Sequence, residues 1–227
     1  MNGESTKEPQ YGRLIDVRDQ FGATALGAMM NQVWHDDPRR LGFVLARYKF
    51  VAKMLSGKQR ALEVGCGDAF GTRVVLQEVP YVCALDFDPF FVKDVHARMC
   101  PTWKFDCIEH DMLCGPVPGD FDAAYSLDVL EHIPQSQEDA FVSNIARSLR
   151  RDGVLIIGTP SLASQPWASP PSKAGHVNCK EQAELASLLR RYFTNVFSFG
   201  MNDEVLHTGF HAMSHYLFAL AVGTKAC

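Results

Sequence analysis

Apolar residues follow a helical spacing in the first part of the chain. Between Gly22 and Leu55 they share one helix face, which comprises Leu41, Val44, Leu45, Tyr48, Val51, Ala52 and Leu55. Asp37 and Pro38 precede this run as a cap and a first helical proline, and Gly57 ends it. We therefore predict an N-terminal helical cap over residues 1–57, with a loosely ordered polar lead up to about residue 20.

From residue 58 onward, short apolar runs alternate with helical patterns. The predicted strands are Ala61–Val64, Tyr81–Leu85, Phe105–Glu109, Phe121–Ser126 and Val154–Gly158. The predicted helices between them are Thr72–Gln77, Phe90–Met99 and Glu138–Leu149. Strands separated by helices are typical of an α/β fold with a doubly wound, mostly parallel sheet, and we assign residues 58–227 to this domain.

The pattern changes near the end of the chain. Helix Cys179–Tyr192 is followed by two strand-like runs, Thr194–Phe199 and Ser214–Val222, with no helix between them. These runs predict an antiparallel pair that completes a seven-stranded sheet. The Pro- and Ser-rich stretch Ser161–Ser172 is predicted to be a long loop that serves as a lid.

Composition narrows the function classes. The chain has 227 residues, 47% hydrophobic and 21% charged, and its formal net charge of -4 gives no electrostatic footprint for nucleic acid. The polar N-terminus does not resemble a signal peptide, and the longest apolar stretch, Tyr216–Val222, is too short to span a bilayer. Seven cysteines without a C-x-x-C pair indicate reduced thiols. We expect a cytoplasmic protein that acts on a small molecule, and we leave a homodimer open.

A glycine-rich turn follows the first predicted strand. Gly65 and Gly67 come directly after Val64 and before a helical pattern, an order that places backbone N–H groups against a ligand's polar group. A dinucleotide fingerprint would need a small residue where Phe70 stands, because a large ring blocks the close approach of helix and strand. This residue disfavours a nicotinamide oxidoreductase.

Glu63, Gly65 and Gly67 instead resemble motif I of the Class I S-adenosylmethionine-dependent methyltransferases, which runs acidic-x-Gly-x-Gly-x-Gly. The resemblance implies a Rossmann-like fold with S-adenosyl-L-methionine as cofactor. It also implies that the glycines, with Cys66 between them, approach the methionine part while Glu63 lies beneath its amino group. Ala69 stands where the family has its third glycine, a departure of one methyl group.

Two acidic positions at later strand ends extend the resemblance. Asp86 ends the second strand, where a carboxylate can accept both ribose hydroxyls, and Phe87 is expected near the adenine. Asp111 and Met112 follow the third strand and resemble the adenine-binding position of the family. Asp111 would accept a hydrogen bond from the exocyclic amine of the adenine, while Met112 would cover the adenine ring.

The stretch Ser126–Ile133 closely resembles the "VLEH" motif that follows the fourth strand in many small-molecule methyltransferases. We place Leu127 of this stretch at the cofactor. Arg47 in the helical cap is assigned to the methionine carboxylate, which a guanidinium can bind bidentately, with a plain surface charge as the alternative. The resemblance covers about residues 58–160.

Four histidines are candidates for the catalytic base, because imidazole titrates near neutrality. They are His132, His176, His207 and His211. His132 has a competing structural function within its motif. We assign no metal, although Asp203 and Glu204 with the nearby histidines leave a loop site for a divalent ion as an alternative.

These observations predict a methyltransferase acting on a small molecule, by O-methylation of a sugar or glycan precursor. The stretches Thr159–Asn178 and Met201–Phe210 are similar to those of methyltransferases in bacterial surface-polysaccharide pathways, and this similarity is an analogy. A natural-product or quinone-type O- or N-methyltransferase is the alternative within the class. A catalytically silent S-adenosylmethionine-binding module is the alternative from another class.

Overall fold

The computed structural model describes residues 5–225. Within them the helices longer than a single 3₁₀ turn are α1 (Gly12–Phe21), α2 (Ala28–Asp36), α3 (Arg39–Met54), α4 (Thr72–Val75), α5 (Pro89–Ala97), α6 (Glu138–Ser148), α7 (Pro170–Gly175) and α8 (Gln182–Arg190), with a longer 3₁₀ helix at Leu162–Trp167. The strands in the same range are β1 (Arg60–Val64), β2 (Tyr81–Asp86), β3 (Asp106–Glu109), β4 (Phe121–Leu127), β5 (Leu149–Pro160), β6 (Phe193–Asn202), β7 (Val205–His207) and β8 (Tyr216–Thr224).

The described strands form a single eight-stranded sheet in the order β3-β2-β1-β4-β5-β8-β6-β7. Strands β1 to β5 pair in parallel, and β8 runs antiparallel between β5 and β6. The predicted α/β fold with a doubly wound, mostly parallel sheet is confirmed, including the late antiparallel pair. The strand number is eight rather than seven because β7 turns back onto β6 as a short hairpin.

Helices cover both faces of the sheet, which is why its central strands are apolar on both sides. On one face Val51 of α3 and Leu55, which directly follows this helix, are fully buried against the sheet, together with Val75 of α4. On the other face α6 and α8 bury a second cluster that includes Ile145 and Leu189. The helix α3 therefore shares a core with the sheet, and the predicted boundary between residues 57 and 58 stays a prediction.

Two further segments differ from their predicted local structure. The polar lead contains α1, which forms although none of its residues is buried, with Leu14 exposed at 65% and Phe21 at 48%. The predicted loop Ser161–Ser172 is mostly helical, because Ser161 and Ser169 cap a 3₁₀ turn and α7 through their hydroxyls. Short polar helices of this kind lack an apolar period that the sequence pattern could reveal.

No helix among residues 5–225 combines the length and the apolar character that crossing a membrane requires.

Candidate active site

A cavity of about 540 Å³ opens at the carboxyl ends of β1 to β4. Parallel strands end at the same edge of a sheet, so the turns that follow them converge there. Six of the ten predicted cofactor residues line the cavity: Gly65, Gly67, Asp86, Phe87, Asp111 and Met112. The other four, Glu63, Cys66, Leu127 and Arg47, lie outside its lining.

The turn after β1 is left-handed at three positions. Gly65 and Gly67 have φ of 74° and 52°, values that favour glycine. A Cβ at Gly65 would lie 2.4 Å from Cγ2 of Val129, so this position also needs glycine for space. Ala69 has φ of 51°, which gives a physical reason why the family pattern has glycine at this position.

Asp86 links the ends of β1 and β2. Its Oδ2 accepts the N–H of Gly67 at 2.9 Å and its Oδ1 accepts the N–H of Asp88 at 3.0 Å. A carboxylate has about four acceptor positions, so two remain for a ligand in the cavity. The side chain of Asp86 is buried, whereas Phe87 beside it is 71% exposed and offers an aromatic face.

The turn after β3 forms the far end of the cavity. Asp111 is exposed and closes this turn, since its Oδ1 accepts the N–H of Leu113 at 2.8 Å. Met112 is buried at the same end. A polar acceptor beside an apolar wall suits a planar base that carries an amino group.

Glu63 lies beneath the floor of the cavity. Its carboxyl group accepts three hydroxyl hydrogen bonds, from Tyr48 and Tyr125 at 2.8 Å and from Thr72 at 2.5 Å. Burial raises the pKa of Glu63 to about 7 although these hydroxyls lower it. Glu63 thus ties α3, α4 and β4 together, and the predicted contact with the cofactor's amino group stays a prediction.

Arg47 binds a protein carboxylate in this structure. Its Nη1 donates to both oxygens of Asp128, at 2.9 and 2.8 Å, and its guanidinium stacks 3.8 Å from the ring centre of Tyr216. Asp128 has φ of 56° and lines the cavity at the end of β4. The ion pair therefore holds a strained residue at the mouth of the site.

Helix α2 covers the glycine turn from the N-terminal side. The N–H of Met30 donates to Oδ2 of Asp68 at 2.8 Å, and the N–H of Ala28 donates to Asp94 at 3.3 Å. These carboxylates bind the otherwise unpaired first N–H groups of the helix. Met29 consequently lines the cavity beside Gly67.

A second cavity, of about 690 Å³, is lined by the segment after β5 and the segment before β8. His176 lines this cavity and His132 lines the first one, and their ring centres are 5.2 Å apart. Burial and the neighbouring His132 lower the pKa of His176. Two predicted candidate bases therefore meet where the two cavities adjoin.

The other two candidate histidines lie apart from this junction. His207 belongs to β7, and its Nδ1 accepts the N–H of Gly209 at 3.1 Å. His211 approaches Glu181 to 4.0 Å. His215, which the base candidates omit, lines the second cavity, while its Nε2 accepts the N–H of Asp203 at 3.0 Å.

Residues 62–157 match the family model described as a methyltransferase domain. The chain is 29% identical to a "probable S-adenosylmethionine-dependent methyltransferase" of Mycolicibacterium smegmatis over 144 residues, which are 63% of this chain and 54% of that protein. Residues 62–157 therefore form a methyltransferase domain, and the name of this relative indicates S-adenosylmethionine as its cofactor. The chain spans about half the length of the first curated relatives that this domain matches.

Further proteins that resemble this chain in sequence or in fold are also methyltransferases. A ubiquinone biosynthesis O-methyltransferase of Xanthomonas campestris is 28% identical over 156 residues, 62% of this chain and 59% of that protein. The N-methyltransferase NodS of Bradyrhizobium japonicum, solved with S-adenosylhomocysteine, has a TM-score of 0.59 at 18% identity over 84% of this chain and 90% of that chain. The plantazolicin methyltransferase BpumL, also solved with S-adenosylhomocysteine, has a TM-score of 0.63 at 13% identity over 86% and 94% of the two chains. At these identities the two solved structures support the fold alone.

The first cavity of the methyltransferase domain fits S-adenosylmethionine. Its volume lies within the roughly 300–1,000 Å³ range of small-molecule sites. The backbone of Gly65 and Gly67 lines this cavity, Asp86 has free acceptor positions, and Met112 forms an apolar wall. Asp128 and Met29 also line the cavity, although neither is among the predicted cofactor residues. Asp128 directly follows β4, a strand-end position that could have identified it, whereas Met29 lies in α2 and only the tertiary structure brings it to the site.

Proposed function

We propose that this chain transfers a methyl group from S-adenosylmethionine to a hydroxyl group of a small polar molecule, and that the acceptor is a sugar or glycan precursor. The observation that carries the proposal is the junction of the two cavities. His132 faces the cofactor side and His176 the second cavity, with ring centres 5.2 Å apart. An acceptor in the second cavity would meet the cofactor at these two rings.

S-adenosylmethionine supplies, when bound, a methyl group on a positively charged sulfur. The protein's contribution is to align the acceptor and take up its proton. The lowered pKa of His176 keeps its imidazole neutral at neutral pH, which a proton acceptor requires. Asp86 would hold the ribose hydroxyls and Asp111 the adenine amine.

The lining of the second cavity supports a polar acceptor. Trp167 is 84% exposed there and offers a flat face, while Ser164, Gln165 and Ser172 supply hydrogen-bonding groups around it. A sugar ring presents an apolar face and a rim of hydroxyls, which matches this arrangement. The six cysteines at described positions are free thiols, and this supports a reducing compartment such as the cytoplasm.

A second candidate is O-methylation of a quinone precursor. It is favoured by the similarity to ubiquinone biosynthesis O-methyltransferases, one of which is 28% identical over 156 residues. Both candidates need a hydroxyl nucleophile at the same junction. They differ in whether the ring beside Trp167 is aliphatic and hydroxylated or aromatic and apolar.

The test is transfer of a radiolabelled methyl group from S-adenosylmethionine to two panels of acceptors, hydroxylated sugars and hydroxylated aromatic rings. We expect label in the sugar panel, and we expect His176→Ala to lower kcat/KM by about 10²–10⁴-fold with unchanged S-adenosylhomocysteine affinity. His35→Ala, which removes an exposed histidine of α2, should leave kcat/KM unchanged.

Other results would change the conclusion. Label confined to the aromatic panel would replace the proposal with the quinone candidate. Cofactor binding without label in either panel or in a cell extract would favour a silent binding module.

A further inference from the structure

Three side chains with metal-binding groups converge at the junction of the two cavities. Glu131, His132 and His176 each offer one ligand atom, and these atoms all lie within 4.8 Å of one another. Bonds of 2.0–2.2 Å in a tetrahedral arrangement place neighbouring ligand atoms about 3–3.5 Å apart. Small side-chain rotations would therefore bring the three atoms around one ion.

Glu131 provides an independent indication of a ligand. Its side chain is 1% exposed, and its Oε2 accepts the hydroxyl of Thr159 at 2.9 Å. Its Oε1 is buried and has no hydrogen-bond partner among residues 5–225. A buried oxygen without a partner is costly, because it has given up its water without compensation. A cation bound at Oε1 would satisfy it.

Both imidazoles are oriented in the way that metal ligands usually are. Nδ1 of His132 lies 2.9 Å from the carbonyl oxygen of Gly175, and Nδ1 of His176 lies 2.9 Å from Oε1 of Gln165. Carbonyl oxygens only accept, so each neutral ring carries its proton on Nδ1 and keeps a lone pair on Nε2. Histidines that bind metals typically donate their other N–H to such an oxygen.

The backbone holds the three residues together without help from an ion. The N–H groups of Val177 and Asn178 donate to the carbonyl oxygen of Glu131 at 2.8 and 3.0 Å. The amide of Asn178 also donates to Glu138 at 3.0 Å, which anchors the same segment to α6. This arrangement sets His176 beside the Glu131–His132 turn, so these residues would need little further ordering to bind an ion.

We propose that Glu131, His132 and His176 bind a divalent transition-metal ion such as Zn²⁺. Two imidazoles and one carboxylate favour such an ion over Mg²⁺ or Ca²⁺, which prefer oxygen ligands. Three protein ligands leave at least one open coordination position. An acceptor hydroxyl bound at that position would be more acidic and would release its proton to solvent, since His132 and His176 would then hold the ion instead of taking up the proton. This use of the position rests on the proposed function, methyl transfer to a hydroxyl group.

The test begins with protein stripped by EDTA and dialysed, then titrated with Co²⁺ and followed by visible absorption and calorimetry. We expect one ion per chain. Glu131→Gln, His132→Ala and His176→Ala should each weaken binding by about 100-fold or more, because losing an outer partner alone costs 10–100-fold. His35→Ala, a matched histidine outside the cluster, should bind as the wild type does.

Thermal unfolding of each stripped variant shows whether it folds, and His132→Ala, at an exposed position, keeps the test valid if Glu131→Gln does not fold. Wild-type binding no tighter than that of a folded ligand variant would overturn the metal proposal. Methyl transfer that persists in EDTA, without measurable Co²⁺ binding, would refute the metal proposal and leave the proposed function standing. One-to-one Co²⁺ binding that depends on the three ligands, without methyl transfer to any acceptor, would support the metal proposal and refute the proposed function.

Discussion

The two cavities that meet at His132 and His176 are built from different kinds of structure. The first is bounded by the ends of four parallel strands and the tight turns after them. The second is bounded by the 3₁₀ helix Leu162–Trp167, by α7 and by the segment before β8. Strand register positions the first set of residues, whereas capping hydroxyls and a few side-chain anchors position the second. Substitutions in the first cavity should therefore disturb fold and binding together, and those in the second should act mainly on the acceptor.

The largest effect is expected at the glycine turn. Gly65→Ala would place a Cβ 2.4 Å from Val129 at a φ of 74°. We expect unfolding free energy to fall by about 2–4 kcal/mol and S-adenosylhomocysteine binding to become undetectable by calorimetry. Gly115→Ala is the matched control, since a Cβ there meets nothing within 4 Å in the described chain. Wild-type affinity in Gly65→Ala would show that the first cavity does not hold the cofactor.

The next effect concerns pH and the buried carboxyl group under the first cavity. Burial raises the pKa of Glu63 from 4.5 to about 7, so the folded state keeps a proton that the unfolded state releases. This contribution to stability is present below pH 4.5 and is lost as the pH rises to about 7, by an amount of order 3 kcal/mol. Urea denaturation between pH 4 and pH 8 should show less of this decline in Glu63→Gln. Identical pH profiles of the two proteins would contradict the raised pKa of Glu63 as the cause of this decline.

A smaller effect is expected at the end of β2. Asp86→Ala removes the acceptor of the Gly67 N–H and the expected acceptor of the ribose hydroxyls. We expect S-adenosylhomocysteine affinity, measured by calorimetry, to weaken by about 1–3 kcal/mol. Asp88→Ala removes a helix cap outside the cavity lining and should change stability more than affinity. Equal affinities of the two variants would refute the ribose contact.

The smallest effect is expected at the second cavity, where it separates the two halves of the site. Trp167→Ala should raise the acceptor KM by about 3–10-fold, through loss of an aromatic contact, with unfolding free energy unchanged because the ring is 84% exposed. Trp34→Ala, which removes a 54% exposed ring of α2 outside both linings, should leave the acceptor KM unchanged. If Trp167→Ala altered cofactor affinity instead, the two cavities would not be separate sites.

The accuracy of the structure prediction from sequence also differs between the two cavities. The strands around Val64, Asp86 and Leu127 are predicted within a residue or two, because short apolar runs closed by glycine or acidic residues have a clear period and clear ends. The helices α1 and α7 and the hairpin strand β7 are not predicted. None of their residues is buried, so no burial pattern marks them.

The sequence by itself determined the fold class and the cofactor family, since glycines and carboxylates at strand ends act through backbone geometry and spacing, which are local properties. Only the tertiary structure decided which side chains meet across distant segments. It paired Arg47 with Asp128 and placed Glu63 among three hydroxyls. It also set Glu131 and His132 beside His176, because the carbonyl of Glu131 accepts two N–H groups from a segment more than 40 positions later, and no periodicity in the chain encodes that contact.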